Sequence, residues 1–426
     1  MSYLVLLFSS LSMSYAQIIA PSAKEASFRF STDFTYQASE YSDYSLQEVA
    51  GEHARHMFGV FHSPKLIQKY GLNPELVGGI GAPRDTFRVT AKITTTGEDR
   101  AQGLTRVAYS AQGKMILHKK AATNLLAKGY LEIPLPKDLS DIYDKNCTDD
   151  HYESLGDFWY FWDPFRRGCE HLAKEKSNPV RITLVPAAQV KKEMSPRLDL
   201  LRGANGNGEI LSIYVVHGFN ESSSRNDEGR QNYDDFNDML ERQGFEQQKD
   251  RAEKIPSLKR QVLLFTKEMT FNGRPTLVEV RHLLTDTGAE SRSTVFAKFF
   301  KKAVKEADVI IYAGHSGLGG NLDIPTLERK AGAFEFNPQK RQVFFFESCS
   351  SYSYYLEPFA AEKTKAKIDI VTNGLSSYFH TGPFVLEVFV TSILDETVKD
   401  TSWLEILRRM EAPLEGGSYL LNVGGF

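Results

Sequence analysis

ADVIIYAGHSGLGG at residues 307–320 and RQVFFFESCSSYSYY at residues 341–355 are the two stretches that decide the fold of this chain. Each is an uninterrupted apolar run that ends in small polar residues, the first at His315 and the second at Cys349. Strands that are apolar on both faces are typical of parallel sheets covered by helices on both sides. Runs of this kind, separated by helical patterns, recur at residues 210–216, 261–265, 308–313, 342–346 and 368–372. The pattern predicts an α/β fold with a parallel sheet in residues 205–426.

The two runs also place a thiol and an imidazole at one edge of the predicted sheet. In a parallel sheet the carboxyl ends of the strands meet at one edge, and ligands bind in the crevice there. If the two strands are neighbours, His315 and Cys349 emerge side by side, and the imidazole either lowers the thiol pKa or takes its proton. The alternatives are a buried structural cysteine and a histidine that hydrogen-bonds a turn.

Residues 17–195 are predicted to form an N-terminal α+β or mainly β domain. Segments of alternating polarity predict strands with one face on a core, at residues 87–93, 105–120 and 129–136. A helix is predicted at residues 46–61, and a segment rich in Gly, Asn and Pro at residues 193–210 reads as a linker. His53 and His56 are expected on a solvated helix face rather than on a metal. The sequence predicts no metal site and no cofactor.

The first residues resemble an export signal. Residues 1–16, MSYLVLLFSSLSMSYA, have an apolar centre followed by a small-x-small pattern at Ser14, Tyr15 and Ala16. This pattern predicts a signal peptide cleaved before Gln17, and hence a periplasmic or extracellular protein. A first buried strand or helix is the alternative interpretation.

The chain has three cysteines, which in an oxidising compartment would pair as two plus one. Cys147 and Cys169 lie in one aromatic-rich loop, and we expect a disulfide between them that stabilises the fold by ~3 kcal/mol. The alternative is that all three are buried thiols. With the disulfide formed, Cys349 remains free.

The composition excludes some classes of binding partner. The formal charge is −3 and the pI is near 6.4, with no long run of one sign, so no nucleic-acid partner is indicated. No segment after the N-terminus approaches the ~20 consecutive apolar residues of a membrane span.

The two decisive runs resemble a known family. VIIYAGHSG at residues 309–317 and VFFFESC at residues 343–349 are similar to the two catalytic blocks of the caspase-like cysteine peptidases, which include caspases, gingipains, clostripain and legumain. The blocks come in the family's order, and the resemblance extends over about residues 210–426. Because Ser350 and Ser351 follow the cysteine, the secreted, gingipain-like branch fits better than the caspases proper.

The resemblance implies a cysteine endopeptidase acting on a polypeptide substrate. In it, Cys349 attacks the peptide carbonyl and His315 protonates the leaving amine, while the N–H of Cys349 and one just after His315 bind the oxyanion. Glu347 stands where the family often has Gln or Glu. The family has glycine directly after the histidine, whereas here Ser316 precedes Gly317.

Two other functions are compatible with the same residues. AGHSGLGG at residues 313–320 resembles the nucleophile elbow of α/β-hydrolase esterases, with Ser316 as nucleophile, although Leu318 occupies the elbow's last glycine position. A catalytically inactive caspase-like binding module is the other alternative, because a fold does not establish activity.

Overall fold

The computed structural model describes most of the chain. The described residues are 17–84, 87–148, 159–169, 177–187, 195–196, 201, 203, 208–248, 258, 262–271, 273–364, 367–395 and 401–425. The predicted signal peptide at residues 1–16 lies outside them. Within these ranges, no helix is both long and apolar enough to cross a bilayer.

Strands and helices alternate along most of the chain. The strands are β1 (Ile18–Ile19), β2 (Ala23–Gln37), β3 (Gly81–Pro83), β4 (Arg88–Ile93), β5 (Leu104–His118), β6 (Tyr130–Pro136), β7 (Ser177–Pro186), β8 (Ile210–Gly218), β9 (Glu246–Gln247), β10 (Val262–Phe271), β11 (Arg274–Thr285), β12 (Val309–Ala313), β13 (Gln342–Glu347), β14 (Ile368–Thr372) and β15 (Asn422–Gly424). The α-helices are α1 (Leu46–His56), α2 (Pro64–Lys69), α3 (Gly97–Ala101), α4 (Lys119–Lys128), α5 (Glu228–Arg242), α6 (Val295–Glu306), α7 (Ile324–Ala331), α8 (Ser351–Tyr354), α9 (Leu356–Ala361), α10 (Gly382–Ile393) and α11 (Trp403–Glu411).

An antiparallel six-stranded sheet forms the body of the N-terminal half. Its order is β3-β5-β2-β7-β6, and β4 also pairs with β5. Along β2, Phe28 and Phe30 are buried whereas Arg29 and Ser31 are exposed, which is the alternation expected of a sheet with one solvated face. The buried face shares a core with apolar residues of α1 and α4. The strands predicted from alternation are present as β4, β5 and β6.

A nine-stranded sheet forms the body of the C-terminal half. Its order is β1-β15-β14-β13-β12-β8-β11-β10-β9. The strands from β14 to β11 in this order are parallel, and the strands at both ends are antiparallel. The predicted parallel arrangement is thus observed for the central strands, within a mixed sheet.

One strand prediction was wrong. The apolar run at residues 261–265 was expected to be a parallel strand, but β10 is antiparallel to β11 because a tight hairpin at Phe271 and Arg274 joins them. The additional parallel strand is β11, which pairs with β8. Its buried residues alternate with half-buried charged residues such as Glu279 and Arg281, so it lacks the uniform apolar run that marks the other parallel strands.

Helices cover both faces of the nine-stranded sheet. On β13, Phe345 packs in one core with apolar residues of α5, α10 and α11, whereas Phe344 and Phe346 point to the opposite core with residues of α6, α7 and α9. Each fully buried large apolar side chain stabilises the fold by roughly 1.5–3 kcal/mol. The fold is therefore mixed α/β, with parallel strands flanked by helices.

The two histidines of α1 are buried, so the expectation of a solvated face was wrong. His53 hydrogen-bonds the Tyr109 hydroxyl at 2.8 Å and stacks on Phe34. His56 bonds the Glu52 carbonyl at 2.7 Å. Burial lowers the pKa of His53 to about 3, which makes it a neutral packing residue.

The N-terminal half braces the helix that follows Cys349. Buried Arg84 pairs with Glu25 at 3.0 Å and with Glu357 at 2.6 Å, and it donates to the Tyr352 hydroxyl at 3.2 Å. Because Tyr352 belongs to α8, this network holds the segment after Cys349 from the side of the six-stranded sheet.

Candidate active site

His315 and Cys349 lie beyond the carboxyl ends of neighbouring parallel strands. In the register of β12 and β13, Ala313 pairs with Glu347, and Gly314 donates its N–H to the Glu347 carbonyl at 3.2 Å. His315 and Cys349 each lie two residues past the paired position. Both line one cavity of about 240 Å³, so the structure brings the two predicted residues together.

The ring of His315 has a defined orientation. Its Nε2 lies 2.9 Å from both the backbone oxygen and the Oδ1 of Asn220. Both partners are acceptors, so Nε2 carries a proton and Nδ1 of the neutral ring is left as an acceptor. A base whose second nitrogen is held by a third group is the usual arrangement of an activated nucleophile–base pair.

Asn220 is itself fixed by the start of α5. Its N–H donates to Asp227 Oδ1 at 3.0 Å, and its side-chain amide donates to Glu228 Oε2 at 3.0 Å. Sequence reasoning did not select Asn220 as a site residue. The available signal was its position two residues beyond β8, which is the strand next to β12.

The backbone around His315 is also held. The Tyr312 hydroxyl and the Asn321 amide donate to the His315 carbonyl at 2.5 and 2.8 Å. The ring of Phe379 packs edge-on against the imidazole, with 5.2 Å between ring centres. These contacts restrict His315 to one side of the cavity.

Cys349 is free and half-buried. Its Sγ lies 3.6 Å from the Ser377 carbonyl. Burial raises the pKa of the thiol, so the resting residue is a neutral thiol. Of the two options left open by the sequence, the structure favours a base that takes the proton during attack over a preformed thiolate.

The turn after Cys349 is tightly anchored. Ser350 has φ 50° and donates its N–H to the Leu375 carbonyl at 3.1 Å. Ser351 Oγ donates to the Phe346 carbonyl at 2.7 Å and accepts from the Asn373 N–H at 2.8 Å. The N–H of Cys349 itself donates no hydrogen bond to any described residue.

Glu347 places a buried carboxyl in the wall of the cavity. It is 7% exposed, and its Oε1 has no hydrogen-bond partner among the described residues. Burial raises its pKa to about 7. Gly382, the first residue of α10, approaches so closely that an added Cβ would lie 2.8 Å from Oε1. Buried charged groups are usually paired, so this carboxyl is a candidate partner for a cation that enters the cavity.

The cavity is acidic and opens into a longer groove. Its described lining includes Glu228 and Glu347 and contains no lysine or arginine. An adjoining cavity of about 320 Å³ shares Glu228 and Phe379 with it and runs between α5 and α10. The arrangement has room for an extended chain on at least one side of Cys349.

Ser316 and Gly317 do not line this cavity. Ser316 is 2% exposed, and its φ of −81° is ordinary, whereas a nucleophile elbow presents its serine on a strained, open turn. Gly317 has φ 53°, and an added Cβ there would lie 2.3 Å from Asn321 Oδ1. Gly317 therefore shapes the turn, and the geometry does not favour Ser316 as a nucleophile.

The structure joins Cys147 and Cys169 by a disulfide, as the sequence predicted. Between them in the chain, Trp159 donates its indole N–H to the Tyr354 hydroxyl at 2.7 Å. The disulfide loop thus contacts α8, the helix that follows Cys349.

The chain matches no protein-family model and no curated protein. Within the described ranges, no group of three or more His, Cys, Asp or Glu residues is placed to hold a metal.

Proposed function

We propose that the chain is an exported cysteine endopeptidase with a caspase-like catalytic domain in residues 205–426. One observation carries the proposal: a free thiol and an oriented imidazole, Cys349 and His315, line one cavity at the carboxyl ends of adjacent parallel strands. The disulfide is compatible with the oxidising compartment that export would provide.

The reaction begins with a neutral thiol. Nδ1 of His315 takes the proton as Cys349 Sγ bonds to the peptide carbonyl carbon, and the carbonyl oxygen becomes an oxyanion. Asn220 accepts a hydrogen bond from Nε2 throughout, which stabilises the imidazolium. The imidazolium then protonates the leaving amine as the C–N bond breaks, which leaves a thioester on Cys349. Water, deprotonated by His315, hydrolyses the thioester and restores the thiol.

The free N–H of Cys349 supports the same chemistry. In comparable enzymes, a donor aimed at the developing oxyanion stabilises the transition state by a few kcal/mol. Gly317 and Ser316 supply no second donor in the cavity wall. The proposal therefore assigns one oxyanion donor, the N–H of Cys349.

Glu347 supports a preference for a basic residue before the scissile bond. A lysine or arginine side chain that enters the cavity meets the Glu347 carboxyl in its wall, and the carboxyl releases its proton to form an ion pair. Because the pKa of the Glu347 carboxyl is about 7, binding of a basic substrate strengthens as the pH rises through that value.

A fluorogenic peptide library with the residue before the scissile bond varied tests the proposal. We expect hydrolysis by the native protein, strongest after lysine or arginine, and none by Cys349→Ala. Ser316→Ala is the matched control and retains most of the activity. The reverse pattern would support the esterase alternative, and a native protein inert to the whole library would support the binding module.

A further inference from the structure

The outer face of the six-stranded sheet gathers basic and hydroxyl side chains from four strands. Across it, Arg88 of β4 pairs with Gln112 of β5, which pairs with Arg29 of β2, which pairs with Thr183 of β7. Arg29, Arg88 and Gln112 are exposed, and Thr183 is half-buried. Register alone thus builds a continuous polar row.

A second row lies directly beside the first. Thr90 of β4 pairs with Ser110 of β5, which pairs with Ser31 of β2. On β7, Arg181 lies two residues before Thr183, on the same face. Neighbouring strands are ~4.8 Å apart, so side chains of both rows reach a common centre.

These residues line a concave site of about 360 Å³. Its described lining holds three arginines, hydroxyl or amide groups, and no acidic residue; the residues are Arg29, Phe30, Ser31, Arg88, Thr90, Ser110, Ala111, Gln112, Arg181 and Thr183. Exposed sheet faces ordinarily mix charges of both signs. Here the positive charge is concentrated.

The arginines differ in their partners. Arg181 pairs with Glu132 at 2.8 Å and lies over the Tyr130 ring at 4.2 Å, so its guanidinium is held in place. Arg29 and Arg88 form no ion pair with a carboxylate in the part of the chain that the structure describes. Like charges brought together on one face repel, and a bound anion relieves that repulsion.

We propose that this face is a binding site for a ligand with phosphoryl groups that carry at least two negative charges. The planar guanidinium fork matches phosphoryl oxygens in pairs, and the surrounding hydroxyl and amide groups donate to the remaining oxygens of a tetrahedral anion. A single carboxylate offers only two acceptor oxygens to three guanidinium groups, one of which already pairs with Glu132. The site is independent of the cavity at Cys349.

Calorimetric titration with pyrophosphate tests the site on the full-length protein. We expect binding by the native chain and about tenfold weaker binding for Arg29→Gln or Arg88→Gln. The double variant is expected to lose binding, and Arg181→Gln to weaken it. Arg100→Gln, an exposed arginine on α3, is the matched control and binds as the native chain does. Peptide hydrolysis should be unchanged in all four single variants.

Two further experiments ask whether the ligand is a lipid headgroup or a soluble phosphate, and whether the site prefers phosphoryl groups to carboxylates. Flotation with phosphatidylcholine vesicles, with and without one-fifth phosphatidic acid, asks whether a phosphomonoester headgroup is the ligand; binding there that is lost in Arg29→Gln supports the proposal with a lipid source. Citrate is the tricarboxylate control. The proposal is overturned if neither phosphoryl probe binds, if citrate binds as tightly as pyrophosphate, or if Arg100→Gln weakens binding as much as Arg29→Gln.

Discussion

The two sheets of this protein display polar chemistry in different places. In the nine-stranded sheet both faces are buried under helices, so functional groups emerge only at the carboxyl ends of strands, as His315 and Cys349 do. In the six-stranded sheet one face is solvated, and it carries Arg29 in the middle of β2 and Arg88 at the start of β4. Where a sheet can carry function follows from which of its faces are covered.

The two regions also carry opposite charge. The described lining of the cavity at Cys349 has acidic residues and no arginine or lysine, whereas the outer face has arginines and no acidic residue. Their ligands are therefore expected to differ in sign. Variants in one region should leave the other region's measured property unchanged.

The largest expected effect is a loss of peptide hydrolysis that distinguishes the cavity at Cys349 from the outer face of the six-stranded sheet. His315→Ala removes the only base assigned to the reaction, so kcat/KM for peptide hydrolysis should fall by about 10²–10⁴-fold. Arg29→Gln should leave kcat/KM unchanged. Steady-state kinetics on one fluorogenic peptide measures both. Comparable losses in the two variants would break the proposed separation.

A smaller loss is expected at Asn220. Asn220→Ala keeps the backbone oxygen that accepts from His315 Nε2 but removes Oδ1, so kcat should fall by about tenfold. KM should stay constant, because Asn220 acts through His315 and not on the substrate. Ser316→Ala, at a residue that does not line the cavity, is the control. A rise in KM with unchanged kcat would contradict a positioning role.

Glu347 is expected to oppose folding stability. Its pKa is about 7 in the folded chain and 4.5 in the unfolded one, so the unfolded state releases the proton first as the pH rises. Stability is lost progressively between these two values. Glu347→Gln, which cannot ionise, should raise the free energy of unfolding by about 1–3 kcal/mol near pH 8 and have little effect near pH 4.

Urea unfolding at the two pH values measures this difference. The same variant should lose its preference for lysine and arginine substrates, which would identify the buried carboxyl as a functional group held at the expense of stability. Equal stability of both proteins near pH 8 would mean that Glu347 is not buried uncompensated.

The smallest effect concerns the resting thiol. Because burial raises the pKa of Cys349, its alkylation by iodoacetamide near pH 7 should be no faster than that of an ordinary thiol and should accelerate above the usual thiol pKa. A pH–rate profile measures this. A fast rate that is already constant at pH 6 would indicate a preformed thiolate.

Much of the C-terminal half was predictable because buried strands have an obvious signature. The uniform apolar runs of β12 and β13 located His315 and Cys349 at one edge. β11 was not predicted from the sequence because Glu279 and Arg281 interrupt its apolar pattern. Uniform hydrophobicity indicates burial on both faces, and β11 does not have it.

Contacts that depend on tertiary register were not predictable. Asn220 reaches His315 only because β8 is the neighbour of β12, and the sequence does not state strand order. Arg29 and Arg88 are 59 positions apart in sequence and share one face only through their pairing with Gln112. The alternation of polar and apolar residues shows which side chains of a strand face the core and which face solvent. Strand pairing determines which side chains of different strands lie next to each other.

Covalent capture tests whether Cys349 is a nucleophile assisted by His315. The protein is incubated with a peptidyl acyloxymethyl ketone that carries lysine at the reactive position, and the intact mass and the labelled peptide are measured. The account predicts one adduct, on Cys349, formed far more slowly by His315→Ala and at the native rate by Arg29→Gln. Labelling of another residue, or labelling of Cys349 no faster than in the urea-denatured chain, would contradict the account.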